Sequence, residues 1–197
     1  MLDGTQARDR ASHIWARETH DHYCEEPWVS KRLFEEERFI GNVYDPCCGF
    51  GHIVKSAIEC GFVNAWGDDI ERRWEGARVV RDFLEGDTIF ENIVCNPPFD
   101  KIEAFTKQAV ARSNRKAALI FPTRRLNAAG AWLQSLPLIQ IWYLTPRPSM
   151  PPGHIYKALQ DQGKKPSGGT VDFCWLIFRR GFKGAPTAGW LHRDGAP

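Results

Sequence analysis

Apolar and polar positions along this chain switch between two periods, and each switch marks an element. Over residues 26–39, Val29, Leu33 and Phe34, with Ile40 beyond, recur at helical spacing, and Pro27 stands at the start, where its missing N–H costs little. Residues 42–45 read as a short strand running into a glycine-rich turn. Residues 51–60 return to helical spacing through Ile53, Val54, Ala57 and Ile58, with Gly61 as the C-terminal cap. Strands are predicted over 62–67 and 77–83, joined by a link, 71–76, too short for a full helix. A fourth strand over 92–96 stops at Pro97-Pro98, and a helix over 101–112 places Ile102, Phe105, Ala109 and Val110 on one face. Residues 116–122 form a fifth strand, 126–136 a helix, 140–144 a sixth strand and 171–179 the last.

Strands separated by helical stretches predict an α/β fold, a mostly parallel sheet of about seven strands with right-handed crossovers. The last two strands lack a helix between them, so they are expected to pair as an antiparallel edge. The chain divides into a polar N-terminal arm (1–21), one domain (22–180) and a Gly-, Ala- and Pro-rich tail (181–197) expected to be mobile. Within the domain, 146–169 is dense in Pro, Gly and basic residues and is expected to be a loop that contacts substrate.

Composition narrows the class. At 197 residues, 43% hydrophobic and 25% charged, the chain is expected to be a single soluble domain with a core of its own. Its apolar runs fall far below the roughly 18 residues of a membrane span. The charged N-terminus is unlike a secretory leader, and a cytoplasmic location is expected. Six cysteines form no Cys-x-x-Cys pair, which fits a reducing compartment and gives no zinc framework. His20, His22 and Cys24 lack an identifiable fourth ligand, so no metal is expected and the segment reads as part of the polar arm. The net charge of +2 conceals an asymmetry. Residues 1–100 carry 11 basic and 20 acidic side chains, and residues 101–197 carry 15 and 4. The second half therefore suits a polyanionic partner, unless the two halves neutralise each other on folding.

Three strand ends carry the candidate chemistry. Asp45-Pro46-Cys47-Cys48-Gly49-Phe50-Gly51 is a strand, glycine turn and helix start, the place where open α/β sheets bind ligands. It lacks the Gly-Lys-Ser/Thr of a phosphate loop, since His52-Ile53 follows, and Val54 stands where a dinucleotide fingerprint has its third glycine. A purely structural turn is the remaining reading. Asp68-Asp69-Ile70, about 20 residues on, offers an acid for ribose hydroxyls and an apolar side chain for a purine face. Asp82-Phe83 offers an acceptor for a purine amino group and an aromatic border. Asn96-Pro97-Pro98-Phe99 places an amide oxygen, stiffened carbonyls and an aromatic plate together, a site for a planar group bearing an amine.

Asp-Pro-x-x-Gly-x-Gly followed by Asn-Pro-Pro-Phe resembles the S-adenosylmethionine-dependent amino-methyltransferases, especially the DNA adenine methyltransferases of phage and of bacterial restriction-modification systems. Tyr23-Cys24-Glu25-Glu26-Pro27-Trp28 resembles that family's N-terminal cofactor-contacting motif, and the resemblance spans about 22–180. It implies a Rossmann-like class I methyltransferase fold. It also implies S-adenosylmethionine held by Tyr23, Pro27, Trp28, Asp45, Pro46, Cys47, Gly49, Gly51 and Asn96, with Asp69 on the ribose, Ile70 and Phe83 around the adenine, and Asp82 on its amino group. The target amine would be held by Asn96 and the Pro97 carbonyl, in a turn completed by Pro98, with Phe99 stacked on the base.

Unlike many family members, the chain is expected to lack a separate target-recognition domain, since only 17 residues follow Arg180. Arg124, Arg125, Arg147, His154, Lys157, Lys164 and Lys165 are the candidate phosphate contacts. The thin cover expected between the second and third strands would accept another subunit, so a homodimer is open. Adenine in RNA, a protein glutamine amide and a non-catalytic nucleic-acid-binding module are the alternatives. The basic second half favours nucleic acid, and the intact motifs favour an enzyme.

Overall fold

The computed structural model describes residues 22–195. The polar arm of residues 1–21 lies outside them, and so does His20. Helix α1 (Pro27–Glu36) buries Val29, Leu33 and Phe34, the positions that set its period, and has proline in its first turn. Strand β1 (Val43–Asp45) leads through the glycine turn into α2 (His52–Glu59), and β2 (Trp66–Gly67) follows. Next come β3 (Phe90–Cys95), α3 (Ile102–Arg112), β4 (Ser113–Pro122) and α4 (Leu126–Leu133). The chain continues through β5 (Leu138–Thr145), α5 (Gly153–Asp161), β6 (Phe173–Arg179) and β7 (Thr187–His192).

The seven strands form one sheet in the order β2-β1-β3-β4-β6-β5-β7. All neighbours run parallel except β6, which opposes both β4 and β5. The antiparallel pairing of β5 and β6 is as expected, but its premise is corrected: the two strands do have a helix, α5, between them. The reversed strand lies inside the sheet, because β7 extends the sheet beyond β5.

Alternation along the strands builds a core on each face. From β4, Ala118 and Ile120 meet Trp175 and Ile177 of β6 with Leu33 of α1 and Ile53 of α2. Ala117, Leu119 and Phe121 turn the other way, toward Phe105 and Ala109 of α3 and Leu133 of α4. The Trp175 indole is fully buried and donates to the Val29 carbonyl at 3.1 Å, tying α1 to the sheet.

Four further expectations need correction. Residues 77–83 are not a strand. The segment runs beside β2 through a single parallel bridge, Asp69↔Val80, and ends in a 3-10 turn, Phe83–Glu85. Val79 and Val80 are 43% and 50% exposed, so nothing covers them as a sheet interior would. The Asp68 carboxylate, moreover, takes the Val79 N–H at 3.0 Å. Residues 146–169 contain helix α5, whose half-buried stripe of Ile155, Tyr156 and Leu159 was hidden among prolines and glycines. The tail is not wholly irregular. Residues 187–192 are β7, anchored by fully buried Leu191 while neighbouring Trp190 stays 69% exposed. The expected strand over 62–67 shrinks to Trp66–Gly67 because residues 62–65 form a turn, with Ala65 N–H on the Phe62 carbonyl at 2.9 Å.

The charge asymmetry is partly spent inside the fold. Lys116 pairs with Glu37, and Arg115 with Glu91 at 3.2 Å, each joining the basic half to the acidic one.

Candidate active site

The strand ends Asp45, Asp69 and Asn96 meet at one pocket on the carboxyl edge of β1, β2 and β3. Of the residues predicted to bind there, Tyr23, Asp45, Pro46, Cys47, Gly49, Asp69, Ile70, Asp82, Phe83, Asn96 and Pro98 line it. Pro27, Trp28, Gly51, Pro97 and Phe99 do not. Pro27 and Trp28 instead border a second groove with Tyr156, Lys164, Lys165 and Arg193.

The glycine turn is built on left-handed backbone at Gly49 (φ 49°) and Gly51 (φ 79°), which glycine adopts without strain. A Cβ at Gly49 would stand 2.6 Å from His22 Nε2, and one at Gly51 2.6 Å from the Trp74 ring. The protein's own side chains, as well as any ligand, therefore require these glycines. The Gly49 N–H donates to Asp69 Oδ2 at 2.8 Å, and Asp69 Oδ1 accepts from Glu71 N–H at 3.0 Å and Arg73 at 2.8 Å. Its neighbour Asp68 turns inward, accepting from the Tyr44 hydroxyl at 3.0 Å and pairing with Arg81 at 2.9 Å. Asp69 thus faces the pocket, and Asp68 braces the sheet beneath it.

Asp45 is almost wholly buried and accepts the Cys47 N–H at 3.1 Å. Burial pushes its carboxyl well above the usual range, and the nearby acids Glu25 and Asp69 push it the same way. Burial likewise raises the Cys47 thiol, which lies 3.4 Å from the Asn96 carbonyl. Ile70 is 42% exposed and available to a ligand. Phe83 is nearly buried, with the Arg112 guanidinium 4.5 Å above its ring, so it offers the pocket less than a full face. Asp82 caps the 3-10 turn through the Leu84 N–H at 2.8 Å.

Asn96 has a defined orientation. Its Nδ2 donates to the Tyr23 carbonyl at 2.7 Å and to Glu25 Oε2 at 2.8 Å. Two acceptors can be satisfied only by the NH₂ end of the amide, which fixes the flip. Oδ1 is buried and has no hydrogen-bond partner. Phe99 stacks with Tyr23 (6.0 Å) and Phe173 (5.5 Å), and its carbonyl accepts from Arg125.

Lining residues outside the candidate set include His22, Cys24, Glu25, His52, Arg73 and Lys101. Cys24 N–H bonds the Pro151 carbonyl at 2.9 Å and Gly153 N–H bonds the His22 carbonyl at 3.0 Å, so residues 22–24 are clamped to the start of α5. Tyr156 of α5 lies 4.9 Å from His52, closing that side. Burial lowers the His22 pKa to about 4, with Arg73 and His52 adding to the effect. Glu25 stood inside the quoted N-terminal segment. The signal for it was a carboxylate beside an aromatic immediately before a proline-started helix.

The basic candidates fall into two groups. Arg124 and Arg125 lie in the 3-10 turn after β4 and do not line the pocket, whereas Arg147 is held by Asp172 at 2.7 and 3.1 Å, so its charge is already compensated. His154 and Lys157 are exposed on α5, and Lys164 and Lys165 are exposed beyond it. Among the described residues no group of His, Cys, Asp and Glu is placed to hold a metal, and no helix is long and apolar enough to cross a membrane.

The sheet and the position of the pocket define the class: the chain has the fold of the class I S-adenosylmethionine-dependent methyltransferases. No protein-family model and no curated protein matches the sequence. Solved structures do match the fold. A proposed RNA methyltransferase from Pyrococcus horikoshii shares it at a TM-score of 0.55 and 13% identity, over 77% of this chain and 81% of that one. The M protein of the type I restriction enzyme EcoKI matches at 0.56 and 14%, over 84% and 47%. The type I restriction-modification methyltransferase subunit from Streptococcus thermophilus matches at 0.52 and 13%, over 82% and 45%. The chain spans just under half the length of these two subunits.

Proposed function

We propose that the protein transfers a methyl group from S-adenosylmethionine to the exocyclic amine of adenine in DNA. The observation that carries the proposal is Asn96 Oδ1, a buried acceptor without a partner in the wall of the pocket, its amide fixed from behind. A buried polar atom left unpaired is costly, which points to a group that arrives with a donor.

The pocket also fits the cofactor. Asp45 and Asp69 are buried carboxyl groups in its lining, acceptors suited to the donor groups of the cofactor. Ile70 supplies an apolar surface for a purine, and Asp69 and Asp82 keep lone pairs for hydroxyl or amino donors. The cofactor, when bound, supplies an electrophilic methyl group. The chain's part is to hold and polarise the acceptor. An aromatic amine is a weak nucleophile because its lone pair is delocalised into the ring. Asn96 Oδ1, accepting one of its hydrogens, favours a more tetrahedral nitrogen and stabilises the charge it gains. Pro97 and Pro98 keep the turn after Asn96 stiff, and alignment does the rest. A base in a duplex cannot reach such a pocket, so it must be flipped out or presented single-stranded.

DNA is favoured over a protein amide by the excess of basic side chains after residue 100. The restriction-modification neighbours favour DNA, and the Pyrococcus neighbour makes RNA the rival. Nucleoside mass spectrometry after incubation with cofactor and unmethylated DNA, with RNA in parallel, decides between them. Methyladenine in DNA is expected. Methyladenine in RNA alone would move the substrate, and none in either would overturn the reading.

A further inference from the structure

We infer that Glu25 is a positioning residue for the transfer, acting through Asn96; this rests on the amine-holding role proposed for Asn96. Glu25 is 6% exposed and stands directly behind the Asn96 amide, with Oε2 2.8 Å from Nδ2. Its own place is set by His52, whose Nδ1 lies 3.0 Å from the Glu25 carbonyl and 3.9 Å from Oε1. A carbonyl can only accept, so the contact puts the ring hydrogen on Nδ1. The chain from α2 through His52 and Glu25 to Asn96 joins one wall of the pocket to the turn on the other side.

The arrangement does two things. It makes the reversed amide unfavourable, since a flip would set Asn96 Oδ1 against the Glu25 carboxylate and the Tyr23 carbonyl. It also places negative charge behind the amide, which makes Oδ1 a stronger acceptor as positive charge develops on the target nitrogen. With Glu25 gone, only the Tyr23 carbonyl opposes the flip, and a reversed amide would present N–H to an amine that must itself donate.

The test compares Glu25→Ala with Glu25→Gln on the full chain. Gln Oε1 can still accept from Asn96 Nδ2, so it preserves orientation and removes charge. For Glu25→Ala, single-turnover transfer to DNA is expected to fall about 100-fold, while cofactor affinity and the KM for DNA stay within about threefold. Glu25→Gln is expected to recover most of the loss. Equal loss in both variants, in step with lowered stability and cofactor affinity, would overturn positioning in favour of a structural role. So would wild-type turnover in Glu25→Ala. A second readout is independent of transfer. The Asn96 side-chain amide protons, assigned by NMR through their loss in Asn96→Asp, are expected downfield and slow to exchange, and Glu25→Ala should shift them upfield. Unshifted protons would sink the contact itself. If they respond to Glu25 and the wild-type protein methylates neither DNA nor RNA, the contact stands and the reaction assigned to Asn96 falls.

Discussion

Strands β1 and β2 are three and two residues long, whereas β4, β5 and β6 run to ten, eight and seven. The long strands carry apolar runs, Ala117 to Phe121 in β4 and Phe173 to Phe178 in β6, and an extended antiparallel ladder, from Lys116↔Arg179 to Pro122↔Phe173. The short ones break off almost at once into turns holding Asp45, Asp68 and Asp69, all buried. A short strand releases its last residues where neighbouring strands still support them. Carboxylates can then be placed at the edge of a packed interior without entering it. Buried charge of this kind lowers stability, and the apolar half of the sheet offsets that cost.

Substitutions on the two sides should therefore have opposite signatures. The largest effect is expected in the long-stranded half. Trp175→Ala removes a fully buried indole and its hydrogen bond to the Val29 carbonyl, and should cost about 3–5 kcal/mol of stability, read by denaturant unfolding. A loss below about 1 kcal/mol would mean that this half is not the support.

Asp45→Asn comes next. Because burial raises the carboxyl in the folded protein, the folded state binds a proton that the unfolded chain has already released. Stability should then fall as pH rises from the ordinary carboxylate range through the raised value. The variant should lose that slope, gaining stability at neutral pH while its affinity for S-adenosylmethionine drops roughly ten- to hundredfold. Unchanged affinity by calorimetry would remove Asp45 from the cofactor site.

The smallest effect concerns His22, whose pKa is depressed from 6.5 to about 4. Here the unfolded chain takes up the proton first, so stability is lost as pH falls from 6.5 toward 4. His22→Gln should flatten the melting temperature across that window, and an unaltered slope would assign the acid sensitivity elsewhere.

The same division governs what the sequence disclosed. Runs such as Ala117 to Phe121 declare a buried strand, and helices α1 to α3 follow from spacing and caps, so the long-stranded half was legible. The short-stranded half was legible through its motifs instead. Asp45, Gly49, Asp69 and Asn96, which line one pocket, could be singled out because turn chemistry is local. Val79 and Val80 misled because β-branched residues look alike on a covered strand and on an exposed edge. β7 was missed because only one of its residues, Leu191, is fully buried, and α5 because its proline lies at the helix start rather than inside. Glu25 and His52 were missed as lining residues because what brings them to Asn96 is tertiary: the clamp of residues 22–24 onto α5. Periodicity carries no trace of that pairing. Arg147 was chosen by charge alone, and Asp172, its neutralising partner, is 25 residues away.

The central claim is that binding and transfer separate at Asn96: the buried acids Asp45 and Asp69 hold the cofactor, and Asn96 Oδ1 holds the amine. Calorimetric titration with S-adenosylmethionine, paired with single-turnover transfer to DNA, tests it in wild type and Asn96→Ala. The account predicts cofactor affinity within about threefold of wild type and transfer reduced by about 10²–10³. Wild-type transfer in the variant, or loss of cofactor binding equal to the loss of transfer, would contradict it.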